Sequence, residues 1–178
     1  MTQTALLVID IQNDYFTDGR FPLWNSNNVL QHTETAIRKA RETGMEVILV
    51  QHQGSAGGPF FTPDSHGVEI HPDLLAIAGD AAIVTKTHAD SFLQTRLSAL
   101  LEQLDIGKLL ICGMMSHNCV THTALSKAAE KYQPAVLADC CTTVSEILHQ
   151  IALRALTPRI PLLTMASAFP ANTLSTAI

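Results

Sequence analysis

The sequence predicts an α/β protein, a three-layer α/β/α sandwich around a central, mostly parallel six-stranded sheet. Three observations predict it. Short runs rich in Val, Ile and Leu alternate with amphipathic stretches along the 178 residues. The runs are continuous in apolar residues, as strands covered on both faces are. Each interval is long enough for a helical crossover, which parallel neighbours require.

The elements follow in order. Ala5-Leu-Leu-Val-Ile9 is a buried strand that ends at Asp10. A helix follows over about 28–43, with Val29, Thr33, Ala36, Ile37 and Ala40 on one face, Asn27 or Asn28 as its cap and Gly44 after its end. Glu46–Gln51 is the second strand. Residues 53–81, with four glycines before Gly79 and with Pro59, Pro63 and Pro72, read as a long loop over the site. Ala81–Thr85 is the third strand and delivers Lys86. Ser91-Phe-Leu-Gln94 has capping-box spacing, and Leu93, Leu97, Leu100, Leu101 and Leu104 form the apolar face of the helix expected after it. Lys108–Cys112 is the fourth strand, and a helix is expected from Cys119 to about Lys131. Pro134–Ala138 is the fifth strand. Thr143-Val-Ser-Glu146 is a second capping box, opening a helix to about Leu156, and Pro161–Thr164 is the last strand.

The whole of 1–178 reads as one domain, with no repeat and no low-complexity segment. Hydrophobic residues make up 47% and charged residues 15%, so the chain is apolar enough to bury a core. That low charged content also points to a homo-oligomer. A net charge of −5 without any basic run argues against nucleic acid as partner. No apolar run is long enough to span a membrane. Met1-Thr-Gln-Thr lacks the basic start of an export signal, so a cytoplasmic location and reduced cysteines are expected.

Parallel α/β sheets carry their sites beyond the carboxyl ends of the strands. Asp10, Lys86 and Cys119 all fall there. Each taken alone has an ordinary explanation: a loop cap, a solvated lysine, a small buried side chain. Together they supply a base, a positive charge and a nucleophile without a metal. Cys119 opens the expected helix, so exposed N–H groups and Lys86 are expected to favour its thiolate. Cys112 lies within an apolar strand, and Cys140 and Cys141 follow one; all three read as packing. His52, His66 and His71 flank or lie in the long loop and raise the question of a metal, but three convergent ligands are not evident.

Three blocks carry a resemblance: Val8-Ile-Asp10-Ile-Gln-Asn-Asp14, Lys86 with Phe92 behind it, and Gly113-Met-Met-Ser-His-Asn-Cys119-Val120. In this order the chain resembles the isochorismatase-like hydrolases over about residues 5–168. That resemblance implies a triad of Asp10, Lys86 and Cys119. It also implies a cis Met114–Met115 peptide, with the Met115 and Cys119 N–H groups as an oxyanion hole. Metal-using nicotinamidases of the family carry Asp-x-His after the second strand, whereas this chain has His52-Gln53-Gly54, so no metal or other cofactor is expected. Isochorismatases proper lack the cysteine, so the resemblance favours amide cleavage of a small molecule. Ether hydrolysis and a non-catalytic binding protein are the alternatives. Gln12, Phe16, Trp24, Phe92 and His117 are the residues expected on the substrate-pocket wall.

Overall fold

In the computed structural model, which describes residues 3–170, six parallel strands form one sheet: β1 (Gln3–Ile9), β2 (Glu46–His52), β3 (Ala82–Lys86), β4 (Ile106–Met114), β5 (Ala135–Thr142) and β6 (Leu162–Leu163). Met1 and Thr2, and the end of the expected domain beyond residue 170, lie outside the described residues. The strand order is β3-β2-β1-β4-β5-β6, and every neighbouring pair is parallel. The core of the sheet is Ala5–Ile9, Val47–Val50 and Leu109–Cys112, all buried. Their apolar side chains face both ways, because helices cover both faces.

The helices are α1 (Ser26–Glu42), α2 (Pro72–Ala78), α3 (Leu97–Gln103), α4 (Thr121–Ala124), α5 (Glu146–Leu156) and α6 (Met165–Ala168). The chain steps outward from β1 to β3, then returns to β4 and steps the other way. Right-handed crossovers therefore put α1 and α2 on one face and α3, α4 and α5 on the other. The reversal lies between β1 and β4, and their carboxyl ends flank the crevice it leaves. Among the described residues no helix is long and apolar enough to cross a membrane.

The close approach of β1 and β4 depends on Gly113. Its φ is +117°, and a Cβ there would collide with the Ile9 backbone. Only glycine permits both the conformation and the contact.

Several expected boundaries move. The interval 53–81 is not all loop: it contains a 3₁₀ turn at His66–Val68 and α2, which Pro72 opens at the first helical position. His71 caps α2, its Nδ1 accepting the Asp73 N–H at 3.3 Å. Ser91 does not open a helix. Its hydroxyl accepts from Thr123 Oγ1 at 2.8 Å and is buried there, so α3 starts only at Leu97 and Leu93 is left exposed. Thr143 is likewise engaged by His117, and α5 is capped by Ser145, whose Oγ accepts the Leu148 N–H at 3.4 Å. Asn25 in the left-handed region, not Asn27 or Asn28, precedes α1. The long helix expected after Cys119 is a π turn at Ser116–Val120, the short α4 and a 3₁₀ turn at Glu130–Tyr132. Strand β5 runs on to Thr142, so Cys140 and Cys141 are buried strand residues.

Candidate active site

The four adjacent strands β3, β2, β1 and β4 each end in or just before a chemically distinct group. Lys86 ends β3, His52 ends β2, Asp10 follows β1, and β4 leads through Met115 into the π turn that carries Cys119. His52 and Lys86 are partners across the β2–β3 ladder. Asp10 has φ 53°, a left-handed turn that a short polar side chain tolerates, and its N–H donates to the Val50 carbonyl at 3.0 Å.

Lys86 Nζ is the hub. It lies 2.8 Å from Asp10 Oδ2, 2.9 Å from His52 Nδ1, 3.1 Å from the His88 carbonyl and 3.2 Å from Cys119 Sγ. An ammonium has three protons, so these four acceptors share them. Asp10, Lys86 and Cys119 are all buried, and the structure brings these three side chains together. Asp10 Oδ1 is also buried and has no hydrogen-bond partner among the described residues. A buried carboxylate oxygen left unpaired is costly.

Charge in this cluster is set by burial and by the Asp10–Lys86 pair. Burial pulls the Lys86 ammonium down, but the Asp10 charge, the Cys119 sulfur and the hydrogen bonds to both outweigh it, so its pKa is raised. The Cys119 thiol is pushed well above its ordinary value, first by burial and then by the Asp10 charge, with Lys86 opposing. This corrects the expected thiolate. The sulfur sits within a five-residue π turn followed by a four-residue helix, so little helix dipole aims at it. The resting pair is therefore a neutral thiol beside a carboxylate. His52 is held below its usual pKa by burial and then by Lys86, so its ring is neutral.

The Met114–Met115 peptide is cis. The Met115 carbonyl accepts the N–H groups of Asn118 at 3.0 Å and Val120 at 3.2 Å, which holds the π turn over the end of β4. Behind the turn, Ser116 Oγ meets His149 Nδ1 at 2.8 Å.

The residues expected on the pocket wall fare unequally. Gln12 is corrected: it is wholly buried, and its amide is spent on backbone. Its Nε2 donates to the carbonyls of His52 at 2.8 Å and Val68 at 2.6 Å, and its Oε1 accepts the His52 N–H at 2.8 Å. Phe92 is buried and stacked on Tyr132, with centroids 6.0 Å apart and planes at 11°. Phe16 packs on His71 and borders a cavity of about 450 Å³ with Asn13, Arg20 and His66. That cavity is not lined by the Lys86 cluster. Trp24 is half-buried, with its ring 5.9 Å from that of His149. His117 is half-buried, its Nδ1 2.5 Å from Thr143 Oγ1.

The three suspected histidines separate. His66 pairs with Glu69 on the surface, its Nδ1 3.1 Å from Oε2, and His71 caps α2. His52 alone enters the site. Asp10, His52 and Cys119 each place a ligand atom within 4.8 Å of the others, the one such cluster among the described residues. The ammonium of Lys86 touches all three groups. Sequence reasoning passed over His52 as a partner of the triad. The available signal was its place at the end of the strand between those that deliver Lys86 and Asp10.

Comparison with known proteins places the chain among relatives. The model of the isochorismatase domain matches residues 4–167. The chain is 39% identical to the uncharacterized isochorismatase family protein YddQ of Bacillus subtilis over 144 residues, 80% of this chain and 79% of that one. It is 36% identical over 121 residues to a streptothricin hydrolase of Streptomyces noursei, covering 67% of this chain but only 42% of that enzyme. Among solved structures, an isochorismatase hydrolase from Oleispira antarctica superposes with a TM-score of 0.88 at 30% identity, covering 96% of this chain and 97% of that one.

Proposed function

The chain belongs to the isochorismatase family, and from that premise we propose that it is a cysteine hydrolase cleaving the C–N bond of a small amide through an acyl intermediate on Cys119. The observation that carries this reading is the Lys86 ammonium shared between Asp10 Oδ2 at 2.8 Å and Cys119 Sγ at 3.2 Å, with Asp10 Oδ1 unspent.

The reaction follows from the charges. In the resting site the proton is on sulfur and the carboxylate is ionised. As the substrate carbonyl approaches, Asp10 takes the thiol proton and Sγ attacks the carbonyl carbon. The Met115 and Cys119 N–H groups donate to the oxygen as it gains charge. Lys86 stays protonated throughout, so the sum of Asp10 and sulfur charge never faces the apolar core alone. Collapse of the adduct expels the amine, which takes the proton from Asp10. Water, deprotonated by the same carboxylate, then attacks the thioester, and Cys119 leaves with its proton restored. No step calls for a metal. The streptothricin hydrolase among the relatives is in keeping with a hydrolase reading, and the presence of a cysteine where, by the resemblance, ether-cleaving members lack one favours amide cleavage.

The protein is further read as cytoplasmic, with four free buried thiols suited to a reducing compartment, and as a homo-oligomer. The oligomer reading is supported by exposed apolar residues on and just before α5: Ile147 and Ile151 on the helix are 75% and 58% exposed, and Val144 ahead of it is 42% exposed.

The test is a screen of small amides by ammonia release, run with and without exhaustive chelation, with acid-quenched protein analysed by mass spectrometry. Turnover indifferent to chelator, with an acyl mass on the Cys119 peptide, is the expected result. Ammonia release that persists in Cys119→Ala would overturn the covalent mechanism.

A further inference from the structure

His52 is not accounted for by the three-residue mechanism. It stands between Asp10 and Lys86 in the strand order, and its imidazole lies within ligand distance of the carboxylate and the sulfur. Its two nitrogens have different situations. Nδ1 is 2.9 Å from the Lys86 ammonium, which has no lone pair and can only donate. Nδ1 must therefore be the acceptor and carry no proton. In a neutral ring the proton then sits on Nε2, and Nε2 has no hydrogen-bond partner among the described residues.

The ring is also held in place. The Gln12 amide grips the His52 backbone from both sides, donating to its carbonyl and accepting from its N–H. Gln53 N–H donates to the Lys86 carbonyl at 2.8 Å, which keeps the two strand ends in register. A buried glutamine that spends its whole amide on one neighbour and the Val68 carbonyl is a positioning device for His52. The half-buried ring thus carries one N–H, fixed in tautomer by Lys86, on an imidazole that belongs to the cluster around the nucleophile.

We propose that His52 is the specificity-determining residue of this site, its Nε2–H donating to a carbonyl or carboxylate oxygen that the substrate carries beyond the scissile amide. The proposal rests on the amide-hydrolase reading above and names its substrate class: small amides with a second oxygen acceptor near the first. A bare alkyl amide would leave the Nε2–H desolvated and unpaired, and a site that loses one such bond discriminates by about tenfold or more. A carboxylate at that position is favoured further by the Lys86 charge.

The experiment has two arms. In the first, malonamate and propanamide are compared as substrates of the wild type, His52→Asn and His52→Gln. Asn keeps an acceptor toward Lys86 but withdraws the distal donor; Gln places an amide N–H near the position of Nε2. The expected result is a wild-type preference for malonamate of about tenfold or more in kcat/KM. Asn should abolish it through KM, and Gln should restore part of it. An Asn variant that keeps the preference, or a wild type that shows none, overturns the proposal. In the second arm, ¹⁵N spectra of the histidine rings report the tautomer directly, with no need for turnover. Protonated Nε2 and bare Nδ1, with the Nε2 signal displaced by malonamate, are expected. A ring protonated on Nδ1, or an Nε2 signal that malonamate leaves unmoved, overturns the proposal. The Cys119→Ala control separates the two ideas: ammonia release that survives it sinks the cysteine mechanism, whereas the spectra still decide His52.

Discussion

At the scale of the residue, one proton shared by two groups governs the chemistry. Burial and the Asp10 charge hold the Cys119 thiol high, and Lys86 pulls the other way. Replacing Asp10 by Asn removes the charge that raises the thiol and leaves the one that lowers it. Two rates should then move in opposite directions. Turnover should fall by about 10² to 10⁴, because Asn neither takes the thiol proton nor returns one to the leaving nitrogen. Alkylation of Cys119 by iodoacetamide near neutral pH should become faster than in the wild type, because more of the sulfur is ionised. Peptide mass spectrometry reads the second rate, with Cys112 as the slow internal reference, since its burial is complete and its thiol lies far above the usual range. A fall in both rates would mean that Asp10 activates the thiol at rest. Asp10 and Lys86 were legible in the sequence because each directly follows an apolar run, and Cys119 because it lies a few residues past one. Gln12 was not, because a glutamine just past a strand serves equally well in a pocket wall or as a brace for a neighbouring chain, and only the position of residue 52 decides.

At the scale of the element, apolar runs located all six strands, while the helix starts were misread wherever a Ser or Thr had a better partner. Ser-x-x-Gln and Thr-x-x-Glu predict a cap only if the hydroxyl is free to accept from the chain ahead of it. Ser91 is tied to Thr123, and Thr143 to His117, contacts between segments 26 and more residues apart. Spacing alone is blind to such rivals. The closeness of β1 and β4 gives this scale its own prediction. Gly113→Ala adds one methyl group where φ is +117° and the Ile9 backbone already fills the space. The expected loss is about 3 kcal/mol or more. For a domain of this length, that lowers the thermal midpoint by roughly 6 °C or more. Calorimetry against Gly44→Ala separates the two causes. Gly44 has φ +74° but open space around it, so its variant reports conformational strain alone.

At the scale of the whole molecule, the exposed stripe on α5 is the feature that a lone protomer leaves unexplained. Ile147→Asp with Ile151→Asp puts two charges on residues 75% and 58% exposed, so the fold should survive. Sedimentation should move from an oligomer to a species near 19.3 kDa. A wild type that already sediments at that mass would remove the oligomer reading.

The hub of four strand ends also has a consequence for how the chain acquires its activity. Lys86 meets partners that are 34, 76 and 33 residues away along the chain, at His52, Asp10 and Cys119. None of these contacts is local, so no helix hairpin or early collapsed fragment can rehearse them. During synthesis the carboxylate, the imidazole and the ammonium all emerge before the sulfur does. The nucleophile is thus the last of the four groups to be synthesised. A chain stopped short of residue 119 carries the base, the imidazole and the ammonium without the nucleophile, and a chain whose sheet has not formed carries all four groups without their contacts.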